Sequence, residues 1–304
     1  MSSEEHSTGH ILQSLAVNVV IAISKFVAAA ITGSGAMLAE AIHSSSDCAN
    51  QLLLLFGVRQ AKRKPDASHP LGYGRELYFW SFMVAMLLFT GGGVFSIYEG
   101  IHKIMSPEEK LDHVEVGLVV LGIALVLEGG STISNIRELN KRRKAVPFFR
   151  YLKETKDSDL ILVFGENAAA TMGLICALAT TLLAKFTGNM IWDGVGGLAV
   201  GVVLVGVAFF LAYEVKSLLV GESADEEVTK AVNDAATASK HIGEVLRLIT
   251  VQQGPGEIMV ACKVRLESDI SGKDMVAAIN AFERDVKARC PAVAWSFVEP
   301  DDQV

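Results

Sequence analysis

The chain has 304 residues, 51% hydrophobic and 20% charged, with a mean hydropathy of +0.38. That balance excludes an ordinary soluble domain and points to a polytopic membrane protein. The formal net charge of -7 argues against nucleic-acid binding, which needs a basic surface, and four scattered cysteines without a CxxC pair argue against a secreted disulfide framework.

The first ten residues, MSSEEHSTGH, carry two glutamates and no lysine or arginine. They match neither a secretory signal nor an arginine-rich transit peptide, so the first span is expected to drive insertion. A bilayer core needs roughly 20 mostly apolar residues per helix. Six stretches qualify: 12–33, 36–58, 77–100, 114–136, 159–184 and 191–213. The loop after the second span carries Arg59, Lys62, Arg63, Lys64 and Arg75, and the loop after the fourth carries Arg137, Lys141, Arg142, Arg143, Lys144, Arg150, Lys153 and Lys156. The loop after the third offers Lys103 and Lys110 against Glu108, Glu109 and Asp112, and the loop after the fifth only Lys185. This alternation places the basic loops and both termini in the cytoplasm.

From about residue 218 the texture becomes that of a soluble domain. Residues 223–239 read as a helix, and GEVLRLITVQQG and EIMVACKVRLE as two strands about a Gly-Pro-Gly turn. Residues 271–288 read as a second helix capped by Ser271 ahead of Asp274, and AVAWSFVEP as a last strand. The order α-β-β-α-β implies a small two-layer α+β domain over 218–304, after an all-α six-helix transmembrane domain over 1–217.

Charged groups inside a bilayer are expensive, so each one within a span is a functional candidate. In the second span His43 and Asp47 stand four residues apart on one helical face, with serines and Asn50 widening it. An imidazole and a carboxylate suit a borderline divalent ion such as zinc, whereas a lone histidine would suit a helix–helix hydrogen bond. In the fifth span, DLILVFGENAAATMGLICAL places Glu166 and Asn167 before small residues that let a neighbouring helix approach, so Glu166 could complete a site with His43 and Asp47. The competing reading leaves Glu166 at the membrane interface. In the fourth span Glu128 is a partner for Lys25 of the first span or a proton relay beside the site. Gln13 and Asn18 read as packing polars. Glu40 is assigned to the entry of the second span, where snorkelling or a helix N-terminal position accounts for it, and Asp193 to the start of the sixth, where the helix dipole favours its charge. Asp66 and His69, three apart in the second loop, form a candidate weak metal site or a turn cap.

Six spans, the stretch GSGAMLAEAIHSSSDCANQ and the loop HPLGYGRE together resemble the cation diffusion facilitator family. The stretch HPLGYGRELYFWSFMVAMLLFTGGGVFSIYEGIHK is especially similar to the branch that contains the mitochondrial zinc transporters. The resemblance implies a ferredoxin-like cytoplasmic domain, homodimers, and export of divalent metal in exchange for protons. It also implies an intramembrane site with two ligands from the second span and two from the fifth. His43 and Asp47 match the first pair; Glu166 matches the third position, and the fourth falls on Ala170, which leaves Asn167 or water. In the loop site Asp66 and His69 match family positions, while Tyr73 stands where a second histidine belongs. The tail has only His241 with Glu299, Asp301 and Asp302, so a dimerisation module without a tight zinc cluster is expected.

The reading is therefore a multi-pass membrane transporter, placed in a bacterial inner membrane. It carries no prosthetic group, and its substrate is Zn2+, with Mn2+, Fe2+ or Co2+ as alternatives. A metal-binding sensor or scaffold is the second class. An intramembrane hydrolase ranks last, because no HExxH motif occurs.

Overall fold

The computed structural model describes residues 3–106, 113–143, 146–155, 158–267 and 270–302, with side chains before residue 18 described only at residue 15. Lys110, Glu108, Glu109, Asp112, Lys144 and Lys156, counted above toward loop charge, lie outside the described residues, as do the side chains of Gln13 and Lys153. The chain divides into two compact units, residues 1–56 with 80–215, and residues 57–79 with 216–304.

The first unit is helical. α1 (Ser3–Thr32) and α2 (Gly35–Ala61) form a hairpin whose turn is made by Gly33 at φ +66°, a left-handed position that glycine adopts without a Cβ clash. α3 (Glu76–Leu87) passes through a π-helical turn (Leu88–Val94) into α4 (Phe95–Met105), and α5 (Val114–Arg142), α6 (Phe148–Glu154), α7 (Ser158–Thr187) and α8 (Ile191–Val220) follow. One apolar core draws on all six long elements, from Ala28 and Met37 through Val84, Leu121 and Leu174 to Leu204. Large apolar side chains also point outward, among them Val20, Ile23, Val119, Ile123, Val126 and Phe209, as expected where lipid replaces water.

Among the described residues, four helices are long and apolar enough to cross a bilayer: 76–105, 114–142, 161–187 and 191–220. α2 falls short by composition because Glu40, His43, three serines, Asp47 and Asn50 interrupt it. Within the described part of α1, Asn18–Thr32 is a shorter apolar helix. The six long helices coincide with the six stretches expected from hydropathy, and the polar load of α2 is what sets it apart.

The α3–α4 element and α8 pack backbone to backbone. A Cβ at Gly100 would lie 2.4 Å from the Leu198 amide nitrogen, and one at Gly201 2.7 Å from that of Ile97. Only glycine permits this approach, which is how membrane helices gain contact without a hydrophobic driving force between them.

In the second unit, α9 (Glu226–Ala238) and α10 (Gly272–Arg289) cover a sheet of order β1-β2-β3, formed by β1 (Ile242–Gly254), β2 (Glu257–Leu266) and β3 (Val293–Pro300). β1 and β2 pair antiparallel and β2 and β3 parallel, as the α10 crossover requires. Burial alternates along β2, with Ile258, Val260, Cys262 and Val264 inward against Val228 and Val232 of α9 and Phe282 and Val286 of α10. Ser271 caps α10, accepting from the Asp274 amide and donating to its carboxylate at 2.6 Å, as the sequence motif implies.

Candidate metal site

α2 presents Glu40, His43, Ser44, Asp47 and Asn50 at three- and four-residue intervals, which places them along one face. His43 is fully buried, and its Nδ1 lies 3.6 Å from Asp47 Oδ1. Neither ring nitrogen has a hydrogen-bond partner among the described residues, and neither do Asp47 Oδ1 and Asn50 Oδ1. Leaving a buried polar atom unpaired costs about 1–3 kcal/mol, so four such atoms along two turns of one helix make this face a candidate ligand site.

From α7, Glu166 Oε1 accepts a 2.7 Å hydrogen bond from Asn50 Nδ2, which ties the α2 face to α7. Glu166 and Asp47 also lie near enough to act on each other's charge. Among the described residues no group of three His, Cys, Asp or Glu side chains stands close enough together to hold a metal ion, so the structure does not by itself gather His43, Asp47 and Glu166 into one ligand set. Asn50 holds Glu166 at the edge of the site. Sequence reasoning credited Asn50 only with widening the polar face. Its spacing of three from Asp47 is the signal that could have singled it out.

Asn167 turns its amide nitrogen to its own helix, donating to the Val163 carbonyl at 2.9 Å. Its backbone carbonyl lies 2.9 Å from the Thr132 hydroxyl of α5, which also meets the Thr171 hydroxyl at 2.7 Å. Ala170 is buried in the next turn and offers no donor atom.

Beside this face, Lys25 Nζ of α1 donates to Glu40 Oε2 at 3.2 Å, to Ser44 Oγ at 2.8 Å and to Glu128 Oε1 of α5 at 2.9 Å. The Lys25–Glu128 pair is the one expected from sequence. Glu40 is a correction: it is fully buried in the second turn of α2 and paired to Lys25, not snorkelling from the helix start. Asp193 does lie in the first turn of α8, but its carboxylate serves α2, accepting from the Gly35 amide at 2.6 Å and from the Ser34 hydroxyl. It thereby satisfies an orphan donor at the α2 N-terminus.

In the second unit, Asp66 Oδ1 accepts from the Ser68 and His69 amides, each at 2.9 Å, and from the Ser68 hydroxyl at 2.6 Å, while Oδ2 accepts from the Tyr73 hydroxyl at 2.7 Å. The hydrogen bonds from Ser68, then from Tyr73 and His69, hold its carboxyl well below the usual range. His69 Nδ1 stands 3.9 Å from Asp66 Oδ1, and the His69 ring packs on that of Tyr73 at 4.2 Å between centroids. The carboxylate thus closes an Asx turn within this loop.

Residues 11–220 match the model of the cation efflux transmembrane domain. The chain belongs to the cation efflux family. Among relatives of this family, the human mitochondrial proton-coupled zinc antiporter SLC30A9 is 29% identical over 265 residues, covering 86% of this chain and 46% of that one. Metal tolerance protein C4 of Arabidopsis thaliana is 28% identical over 276 residues, covering 90% of this chain and 59% of that one. The magnetosome protein MamB of Magnetospira sp. is 21% identical over 272 residues, covering 90% and 87%. The chain spans about half the length of the first of these curated relatives. The cation efflux family is a family of membrane transporters, not of enzymes.

Proposed function

We propose that the chain exports a divalent metal ion, zinc first, from the cytoplasm in exchange for protons, by alternating access around His43, Asp47 and Glu166. The observation that carries the reading is the buried His43 imidazole, with both nitrogens unpartnered beside Asp47 on a membrane helix. One imidazole and two carboxylates form a donor set that zinc accepts. Asn50 Oδ1, buried and without a partner among the described residues, joins Asn167 and water, the donors expected from sequence, as a candidate fourth donor in place of Ala170. A relative named as a proton-coupled zinc antiporter and another named as a metal tolerance protein support the same substrate class.

Metal must meet deprotonated ligands, so binding releases protons and a more acidic compartment discharges the ion. The same three side chains, His43, Asp47 and Glu166, are the groups that take protons back when the ion leaves. The basic loops after α2 and α5 set the cytoplasmic side, with both termini there. The C-terminal α+β domain serves as the module through which two copies pair. Zinc, manganese and iron(II) uptake into proteoliposomes carrying the full chain tests the reading. Zinc flux that falls when the pH gradient is removed supports it, and metal binding without flux gives the protein to the sensor class.

A further inference from the structure

The Lys25 cluster carries a charge imbalance that the metal site does not account for. One ammonium faces two carboxylates; Lys25 and Glu40 are fully shielded from water and Glu128 is nearly so, at 16% exposure. Lys25 uses one oxygen of each carboxylate and the Ser44 hydroxyl. Glu40 Oε1 and Glu128 Oε2 are buried and have no hydrogen-bond partner among the described residues. A surplus negative charge in such surroundings is relieved by taking up a proton, and a proton held by two coupled carboxylates belongs to the pair.

We propose that Glu40 and Glu128, bridged by Lys25, form a proton-binding site distinct from the metal ligands, which holds one shared proton when metal is absent and releases it to water when metal binds. The proposal rests on the transport reading above and deepens it. Glu40 precedes His43 by three residues on the same α2 face, and Ser44, which anchors Lys25, follows His43 directly. A dication at His43 and Asp47 therefore adds positive charge within about a turn of the pair and favours loss of its proton. Return of the proton weakens metal binding in the same measure, by linkage.

The other groups near Glu40 leave this assignment intact. On α1 the facing charge is Lys25, on α5 it is Glu128, and along α2 itself come His43 and Asp47. On α7 the facing position is Gly173, where a Cβ would lie 2.5 Å from Glu40 Oε1; of that helix's titratable groups Glu166 and Cys176 lie within two turns of it, and Asp159 and Lys185 stand toward the two ends, Lys185 bonded to Glu115. Gly173 thus lets a buried carboxylate pack against α7 with no cation opposite it. Lys25 is the cation that bonds both acids, so one carboxylate's charge is left over unless the pair holds a proton.

The test is calorimetric zinc binding to the full chain in detergent, in two buffers of different ionisation enthalpy, which gives protons released per zinc. Near neutral pH, Glu40→Gln and Glu128→Gln should each release roughly one proton fewer per zinc than the unsubstituted protein, because either change leaves Lys25 with a single counter-ion. Lys25→Gln keeps both acids without the cation and should not lower the count. Either glutamine variant decides the matter alone if the other does not fold. A purely structural cluster would lower the unfolding temperature of these variants and leave the proton count unchanged, and that result overturns the proposal. If the unsubstituted protein binds no zinc, the transport-site reading fails with it; if zinc binds and the counts agree, only the proton site fails.

Discussion

Asn50 donates through Nδ2 to Glu166 Oε1 at 2.7 Å, so a neutral amide on α2 holds the carboxylate that α7 would contribute to the proposed site. Binding a metal ion between His43, Asp47 and Glu166 must loosen or redirect this bond. The amide oxygen left over on Asn50 can then face the ion. Asn50→Ala removes both functions and should weaken zinc binding about 10–100-fold, the usual cost of losing a partner that orients a ligand. Zinc titration of the purified variant with a competing chelator checks this; unchanged affinity would leave Asn50 as a packing residue.

Lys25 is the ammonium that bonds both Glu40 and Glu128. Lys25→Met leaves two buried carboxylates without it and should cost about 3–5 kcal/mol of stability, as for other broken buried pairs. Thermal unfolding in detergent should show a lowered midpoint, with Lys25→Met/Glu128→Gln losing less than the sum of the single changes. Additive losses would contradict the pairing.

Gly100 lets α4 meet α8 through backbone. A Cβ there would sit 2.4 Å from the Leu198 nitrogen and 2.8 Å from the Gly194 oxygen, and neither is the end of a flexible side chain. Gly100→Ala should destabilise by about 1–3 kcal/mol or more, like other overpacking changes. Gly122, with nothing within 4 Å of its built Cβ, is the control, and Gly122→Ala should leave the unfolding midpoint close to that of the parent.

The Asp66 turn carries a pH dependence whose sign follows from its hydrogen bonds. Its carboxyl titrates well below the unfolded value, chiefly through Ser68 and Tyr73. A depressed carboxylate stabilises fully above the unfolded pKa, about 3.9, and that contribution is lost as pH falls through the folded value. The stability difference between the parent and Asp66→Asn should therefore be flat from neutral pH to about pH 5 and shrink only in stronger acid. A difference that fades between pH 7 and 5 would show that another group controls the turn.

The parts of the molecule set by local periodicity were legible in the sequence. The alternation of Ile258, Val260, Cys262 and Val264 gives β2, the Ser271–Asp274 pair gives the start of α10, and the four-residue spacing of His43 and Asp47 gives the polar face of α2. Contacts set by the depth of one helix beside another were harder. Lys25 lies about 12 Å along α1 from the Gly33 turn, while Glu40 and Ser44 lie about 9 and 15 Å along α2 from it. Those depths match, and a hairpin reading of Thr32 to Gly35 would have joined Lys25 to Glu40 where helix-start reasoning placed the glutamate at the membrane surface. The Asn50–Glu166 bond depends on the register of α2 against α7, which no spacing within either helix encodes.

The central claim is that His43 and Asp47 of α2 and Glu166 of α7 hold the ion that crosses the membrane. It is tested most directly by zinc flux into proteoliposomes under an imposed pH gradient, comparing the parent with Asp47→Ala and Glu166→Ala at equal protein incorporation. Both variants should lose zinc flux nearly completely while keeping the parent's helical content. Flux in Asp47→Ala equal to that of the parent would contradict the assignment.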